Sequence, residues 1–333
     1  MTGITRQRIA SCLGVALLVA GTTGAACFRT PLGDASSPAP DGSAHHLDAP
    51  NLIGAETNVA PDLRPALTPD LTPNAEPPAV AFASVSVGDF FSACGVRTDS
   101  TIACWGEDVA GETTPPAGTF ASVSAGDCLA CGVRTDGTIA CWGNNTWGEA
   151  TPPAGAFVSV SAGQELACGV RTDGTIACWG DNSFGRATPP AGTFASVSAG
   201  NWFACGVRAD GTVACWGDNN AGQATPPAGT FASVSAGFEF ACGVRTDGTI
   251  ACWGESTAGQ ATPPAGSFAS VSAGPFFACG VRTDGTIACW GQNLWGEATP
   301  PAGSFASVSV GFEVACGVKT DGTIACWGQD ISG

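Results

Sequence analysis

The sequence predicts an all-β chain ending in a seven-bladed β-propeller of four-stranded antiparallel blades, closed by an N-terminal strand that completes the last blade. Three observations carry this expectation. A stretch of 37 residues recurs seven times, and the tryptophan of its Trp-Gly step stands at Trp105, Trp142, Trp179, Trp216, Trp253, Trp290 and Trp327. A fixed period of this length marks a repeat architecture. Within each repeat, short strand-like runs alternate with turn signals, and no stretch carries the 3.6-residue amphipathic period of a helical solenoid. The last repeat stops at Gly333 before its Pro-Pro segment, whereas Ala75-Glu76-Pro77-Pro78 aligns with Thr113-Thr114-Pro115-Pro116 upstream of the first repeat. A strand donated from that side completes the ring.

The elements follow in order. ASVSAG, a run of small and β-branched residues ending in glycine, supplies the first strand of a blade. LACGVR and TIACW flank Thr-Asp-Gly and read as a hairpin. ATPPAG carries two prolines, which suit an outermost edge strand with no ladder on one side. In the second repeat, a three-residue loop with Gly137 left-handed pairs Arg134 with Thr138, then Val133 with Ile139, and brings Cys131 opposite Cys141.

The same cysteine pair recurs in every repeat: Cys94/Cys104, Cys131/Cys141, Cys168/Cys178, Cys205/Cys215, Cys242/Cys252, Cys279/Cys289 and Cys316/Cys326. The cross-strand position permits seven intrablade disulfides. Each contributes about 3 kcal/mol at most, and together they imply an oxidising compartment. Zinc is the competing use of cysteine, but C-x9-C is not a ligand spacing and His45 and His46, the only histidines, precede the repeats. No metal or cofactor is expected. Cys128 stands outside the pattern; an unpaired surface thiol is the expectation, with a bond to Cys27 as the alternative.

Residues 1–26 read as an export signal, with Arg6 and Arg8 followed by an apolar run from Ile9 to Ala20. That run is too short and too broken by glycine and threonine for a membrane span. Gly24-Ala25-Ala26-Cys27 resembles a bacterial lipoprotein processing site, which makes Cys27 a candidate for lipidation and a lipid anchor the one expected membrane contact. Ordinary cleavage after Ala26 is the competing reading. Residues 27–73 lack a hydrophobic period and are rich in proline, as a tether is. Residues 74–333 are the propeller, and the expected location is the cell envelope or the medium.

The chain carries a net charge of −16, a poor match for the phosphate backbone of nucleic acid. From Ala79 onward there are 21 acids and 8 bases, and seven Thr/Ala-Asp-Gly or Asp-Ser aspartates balance seven neighbouring Arg or Lys residues. The remaining acids, set against Arg186 alone, lie mostly in two places where the copies disagree: just after Ser-Ala-Gly and just after Trp-Gly. In an antiparallel blade these two loops open on the same side. That side is the candidate binding face, with aromatics Trp147, Phe184, Trp202, Phe238, Phe276, Trp295 and Phe312 among acids Glu165, Asp181, Asp218, Glu239, Glu255 and Glu313. The same divergence arises in loops that nothing constrains. An acidic, aromatic-studded surface suits a protein partner with basic residues, or a glycan stacked on Trp147, Trp202 and Trp295. No nucleophile–base pair supports catalysis, so a non-enzymatic binding module is expected.

The string ASVSAG…ACGVRTDGTIACWGDNNAGQ resembles the repeats of the regulator of chromosome condensation family. Trp216-Gly217-Asp218-Asn219 through Gly222-Gln223 is its best local instance. The resemblance spans residues 75–333 and implies a seven-bladed propeller. The short period is more similar to bacterial members, among them a secreted propeller that inhibits β-lactamases, than to the longer eukaryotic repeats. No residues here match the loops or basic tail behind the founding member's nucleotide exchange and chromatin binding, so function does not follow from the fold.

Overall fold

The computed structural model describes residues 81–89 and 91–329. The export signal, the tether, Cys27 and the expected closing strand at residues 75–78 lie outside them. Within the described residues the chain forms seven three-stranded antiparallel sheets, each in the order of the sequence. The first is β1 (Phe82–Val87), β2 (Ser92–Arg97) and β3 (Ile102–Gly106); the second is β4 (Phe120–Ala125), β5 (Leu129–Arg134) and β6 (Ile139–Gly143). The other five begin at Phe157, Phe194, Phe231, Phe268 and Phe305.

The hairpin register is the expected one. Arg134 N–H donates to Thr138 O at 2.7 Å, Gly137 has φ of 85°, and Val133 pairs with Ile139 and Cys131 with Cys141. Asp136 Oδ1 accepts both the backbone N–H of Thr138 (2.9 Å) and its hydroxyl (2.7 Å). The short aspartate side chain thereby holds the turn from within.

The seven expected intrablade disulfides are present. They join Cys94 to Cys104, Cys131 to Cys141, Cys168 to Cys178, Cys205 to Cys215, Cys242 to Cys252, Cys279 to Cys289 and Cys316 to Cys326, each with a Cα–Cα distance of 4.0 Å. The sequence treats the two cysteines of a pair alike, and the structure does not. The first of each pair lies on a middle strand and is buried. The second (Cys104, Cys141, Cys178, Cys215, Cys252, Cys289 or Cys326) lies on the third strand and is only half-buried.

That difference has a cause in the next segment, because the expected fourth strand is not formed. In the first six repeats the Thr-Pro-Pro stretch lies outside the ladders, and in all seven sheets only three strands pair, which leaves the third strand at the sheet edge. Two consecutive prolines remove two N–H donors, and an outer strand without them has little to offer its neighbour. Side-chain bonds hold the segment instead. Arg134 Nη1 donates to Ala117 O at 3.1 Å while its guanidinium sits 4.9 Å over the Phe120 ring. The same arrangement recurs at Arg171, Arg208, Arg245 and Arg282.

The core lies between sheets. Leu129 and Cys131 of the second sheet pack against Ala162, Ala167 and Trp179 of the third. Each intersheet seam repeats this pattern, and the middle strands are buried along almost their whole length. Among the described residues two polar contacts recur at the seams, a tryptophan bond at six of them and a serine bond at all seven. Trp179 Nε1 donates to Glu149 O at 2.8 Å, so the Trp-Gly tryptophan is an intersheet residue rather than a surface one. Ala162 N–H donates to Ser124 Oγ at 3.0 Å. The serine contact runs through all the seams and returns to its start, because Val87 N–H donates to Ser309 Oγ at 2.9 Å. Phe82, Val85 and Val87 likewise pack with Cys316, Val318 and Ile324. At the inner ends, the Ser-Ala-Gly glycines crowd one another: a Cβ on Gly126 would collide with Gly163 O, and one on Gly311 with Gly88 O. Only glycine permits that backbone approach.

Candidate functional site

In every sheet the two variable loops are tied together by one backbone bond. The residue after Trp-Gly donates its N–H to the carbonyl of the second residue after the Ser-Ala-Gly glycine or its counterpart, or of the third (Phe91) in the first sheet. Examples are Asn144 to Cys128 (2.8 Å), Asp181 to Glu165 (2.8 Å), Asp218 to Trp202 (3.0 Å), Glu255 to Glu239 (2.9 Å) and Gln292 to Phe276 (3.0 Å). The positions at which the copies differ are therefore adjacent in space. They surround a narrow axial cavity lined by the Ala-Gly strand ends together with Asp89, Asp127 and Asn201.

The loop after Trp-Gly is folded by a residue that sequence reasoning left unassigned. In the Gly-Glu or Gly-Gln step, Glu112, Glu149, Gln223, Gln260 and Glu297 are all buried. Their side chains turn back to accept loop N–H groups: Glu112 from Val109 (3.1 Å) and Ala110 (2.7 Å), and Glu297 from Leu294 (3.1 Å) and Trp295 (2.7 Å). Gln223 does the same for Ala221 at 2.8 Å. These carboxylates are part of the scaffold, which reduces the acid left for the surface.

The fourth sheet's seam departs from the rule. Arg186 takes the Glu/Gln slot and is fully buried. Its Nη2 pairs with Glu165 Oε2 at 3.1 Å and with the carboxylate of Asp181, and its Nη1 donates to Gln164 O (3.1 Å) and to the carbonyl of Asn201. The guanidinium lies 4.9 Å over the Trp202 ring, and Phe184 meets Trp202 edge-on at 6.3 Å. Burial pushes the Glu165 carboxyl above its ordinary value despite the adjacent guanidinium. Burial also opposes ionisation of Asp181, but hydrogen bonds from Ser183 and the Arg186 charge hold it below its ordinary value. Four of the expected face residues, Glu165, Asp181, Phe184 and Trp202, thus converge on one cation. The sequence marked Arg186 as the lone unmatched base but carried no sign of its burial.

The other expected residues form two further groups. Asp218 accepts from Gln223 Nε2 at 2.9 Å and Glu255 from the Ser256 and Thr257 N–H groups, while burial first, then Glu255 and Asp218, push the Glu239 carboxyl up. Phe238, Phe276 and Phe312 make a continuous ring-to-ring arc, at 6.5 Å and 5.4 Å, which extends to Phe91 at 6.5 Å from Phe312. Phe91 escaped notice because the first repeat carries one extra residue between Gly88 and Cys94, which breaks the alignment there. Glu313 lies beside this arc, next to Phe312 in the same loop. Trp147 and Trp295 stand out into solvent, 55% and 51% exposed. Among the described residues, no cluster of histidine, cysteine and carboxylate groups has the geometry to hold a metal ion.

Cys128 departs from expectation. It is fully buried and disulfide-bonded, not a surface thiol. Val109 and Ala110 pack against it.

Comparison with known proteins agrees with this architecture. The model of the regulator of chromosome condensation (RCC1) repeat matches residues 157–186, 194–223, 231–260 and 268–294. No curated protein sequence gives a significant match. Among solved structures, the ectodomain of the receptor kinase CR4 from Physcomitrella patens is 29% identical, with a TM-score of 0.65 over 75% of this chain and 74% of that one. The CRINKLY WD40 ectodomain of the Arabidopsis thaliana receptor kinase ACR4 is 28% identical, with a TM-score of 0.66 over 75% of this chain and 96% of that one. Prp20p from Saccharomyces cerevisiae, at 14% identity and a TM-score of 0.58 over 75% and 82% of the two chains, shares the fold. Residues 157–186, 194–223, 231–260 and 268–294 thus match the regulator of chromosome condensation repeat, and the chain shares the fold of these solved propellers.

Proposed function

We propose that this protein is an exported, non-enzymatic binding module that recognises a protein partner through the rim formed by its two variable loops. The observation that carries the reading is the backbone bond between those loops in each sheet, which sets the divergent loops side by side on one edge. Seven intrasheet disulfides fit an oxidising location, and two of the most similar solved structures are receptor ectodomains. The acidic Asp218, Glu239 and Glu255 group suits positive charge on a partner, and the phenylalanine arc with the two exposed tryptophans supplies anchoring area.

A glycan partner is served less well. Trp202 has Arg186 over its face and Phe184 at its edge, so one of the three expected stacking platforms is occupied.

The test is affinity capture of exported proteins from the source organism on the immobilised full chain at low ionic strength. A basic protein should be retained and then released by moderate salt, because charge steering is screened. Retention of no protein, or of one indifferent to salt, would refute the reading.

A further inference from the structure

We infer that, on the rim read above as a protein-binding surface, the axial cavity receives the side chain of one lysine of the partner. This rests on that reading and names the group the partner presents. The cavity has a volume of about 70 Å³, and its wall is built from the Ala-Gly ends of the first strands, from Val87 and Val310, and from Asp89, Asp127 and Asn201. A single water needs about 10–15 Å³, so the space admits the end of one slender side chain.

The residue after each strand-end glycine begins a variable loop, and these residues ring the mouth. Four consecutive copies carry a polar residue there (Asp89, Asp127, Gln164 and Asn201), and the next three an apolar one (Phe238, Pro275 and Phe312). The polar half is tied together. The backbones of Asp127 and Gln164 form a parallel bridge, and Asn201 Nδ2 donates to Gln164 Oε1 at 3.2 Å. Asp127 and Asn201 are each only 5% exposed. With its amide nitrogen committed to Gln164, Asn201 keeps Oδ1, which accepts no hydrogen bond among the described residues. A nearly buried acceptor of this kind is ordinarily met by a donor. On the apolar half the lip is continuous, since Phe312 meets Phe276 at 5.4 Å and Phe91 at 6.5 Å.

An ammonium carries three N–H donors, and Asp89, Asp127 and Asn201 answer with one acceptor each. A carboxylate has about four lone-pair sites, so an ammonium is accommodated beside whatever each aspartate binds within the fold. The aliphatic stem of the lysine then lies along the apolar lip, as long cationic side chains do when the head stays with polar groups. A guanidinium is a planar fork of five donors, more than this wall answers. Calcium takes about six to eight oxygens, again more than the wall supplies. Arg186 donates to the Asn201 carbonyl, but its own charge is met by Glu165 and Asp181.

The probe is the tripeptide acetyl-Gly-Lys-Gly amide, titrated at low ionic strength onto the full chain and followed by the NMR signals of the peptide. The lysine methylenes next to the ammonium should broaden on binding. The same peptide with norleucine or arginine in place of lysine should bind roughly tenfold more weakly, the worth of a charge-assisted hydrogen bond. Asp89→Asn and Asp127→Asn should each weaken the lysine peptide by a similar factor, and Asp173→Asn on the opposite edge should not. Thermal melts accompany the variants, and Asp89, the less buried of the two, keeps the test open where Asp127→Asn fails to fold. No binding of the lysine peptide, equal binding of the norleucine or arginine peptide, or binding indifferent to Asp89→Asn would overturn the inference. A basic protein captured on the rim with a retention unchanged by Asp89→Asn would overturn it too, while leaving the wider reading of the rim intact.

Discussion

Arg186 and Glu165 form an ion pair at 3.1 Å between the two variable loops of the third repeat, with the arginine side chain fully buried. Elsewhere in the ring the Arg186 slot holds a glutamate or glutamine whose oxygen caps its own loop. Here the sign is reversed, and the side chain reaches sideways to the Glu165 and Asp181 carboxylates and to the carbonyls of Gln164, Asp181 and Asn201. A buried cation of this kind is held by its partners, and removing one side strands the other.

Arg186→Met should therefore destabilise the protein by about 3 kcal/mol. The loss should shrink on acidification, because Glu165, whose carboxyl is already raised by burial, is then protonated rather than stranded. Adding Glu165→Gln should recover part of the loss at neutral pH. Urea titrations of the two single variants and the double variant measure the coupling, and strict additivity would contradict the role given to the pair.

Glu297 isolates the ordinary form of the slot. Glu297→Ala leaves the N–H groups of Leu294 and Trp295 without their acceptor, at a cost of about 1–3 kcal/mol. Glu297→Gln should be close to neutral, since Gln223 and Gln260 do the same work in their own loops. Thermal melts of the two variants distinguish the cap from a simple charge effect.

The intrasheet disulfides are redundant in number, so one can be removed cleanly. Replacing both Cys205 and Cys215 by serine should lower stability by up to about 3 kcal/mol, the cost of freeing a short loop in the unfolded chain. The remaining six bonds should persist, as counted by thiol alkylation.

Glu239 offers a pH test. Its folded-state carboxyl is raised above the ordinary 4.5 by burial and by Glu255 and Asp218. The protonated form is thus the one the fold favours, and stability is lost as pH rises through the raised value. Glu239→Gln should raise the melting temperature at pH 7, and the gain should vanish near pH 4, where the wild-type side chain is already neutral. A gain that grew on acidification would contradict the assignment.

Much of this arrangement was legible in the sequence, for identifiable reasons. Thr-Asp-Gly sets the hairpin register through Gly137 and the Asp136 side chain, so the pairing of Cys131 with Cys141 could be counted outward from the turn. The placement of both variable loops on one edge follows from antiparallel topology. The Pro-Pro segment misled because a proline-containing edge strand and a proline-containing coil look alike in sequence. What separates them is the Arg134 guanidinium bonded to Ala117 O, a contact made across 17 residues. Without that strand, the outer cysteine of each pair, such as Cys178 or Cys289, is covered less than its partner. Glu112 and Glu297 read as loop acids, since a carboxylate bonded to N–H groups two and three residues away has the same composition as a solvated one. The burial of Cys128 and Arg186 depends on neighbouring sheets, which a single repeat cannot reveal.

The central claim is that partner recognition resides on the variable rim rather than on the opposite, Thr-Asp-Gly edge. Its most direct measurement compares two charge-matched variants for affinity toward the basic partner recovered at low salt. One carries Asp218→Asn, Glu239→Gln and Glu255→Gln on the rim. The other carries Asp136→Asn, Asp173→Asn and Asp210→Asn at the opposite turns, where the asparagine oxygen still serves the threonine. The account predicts a loss of roughly tenfold or more in affinity for the rim variant, about 1.4 kcal/mol, and little change for the turn variant. Equal losses in both, or an unaffected rim variant, would contradict it.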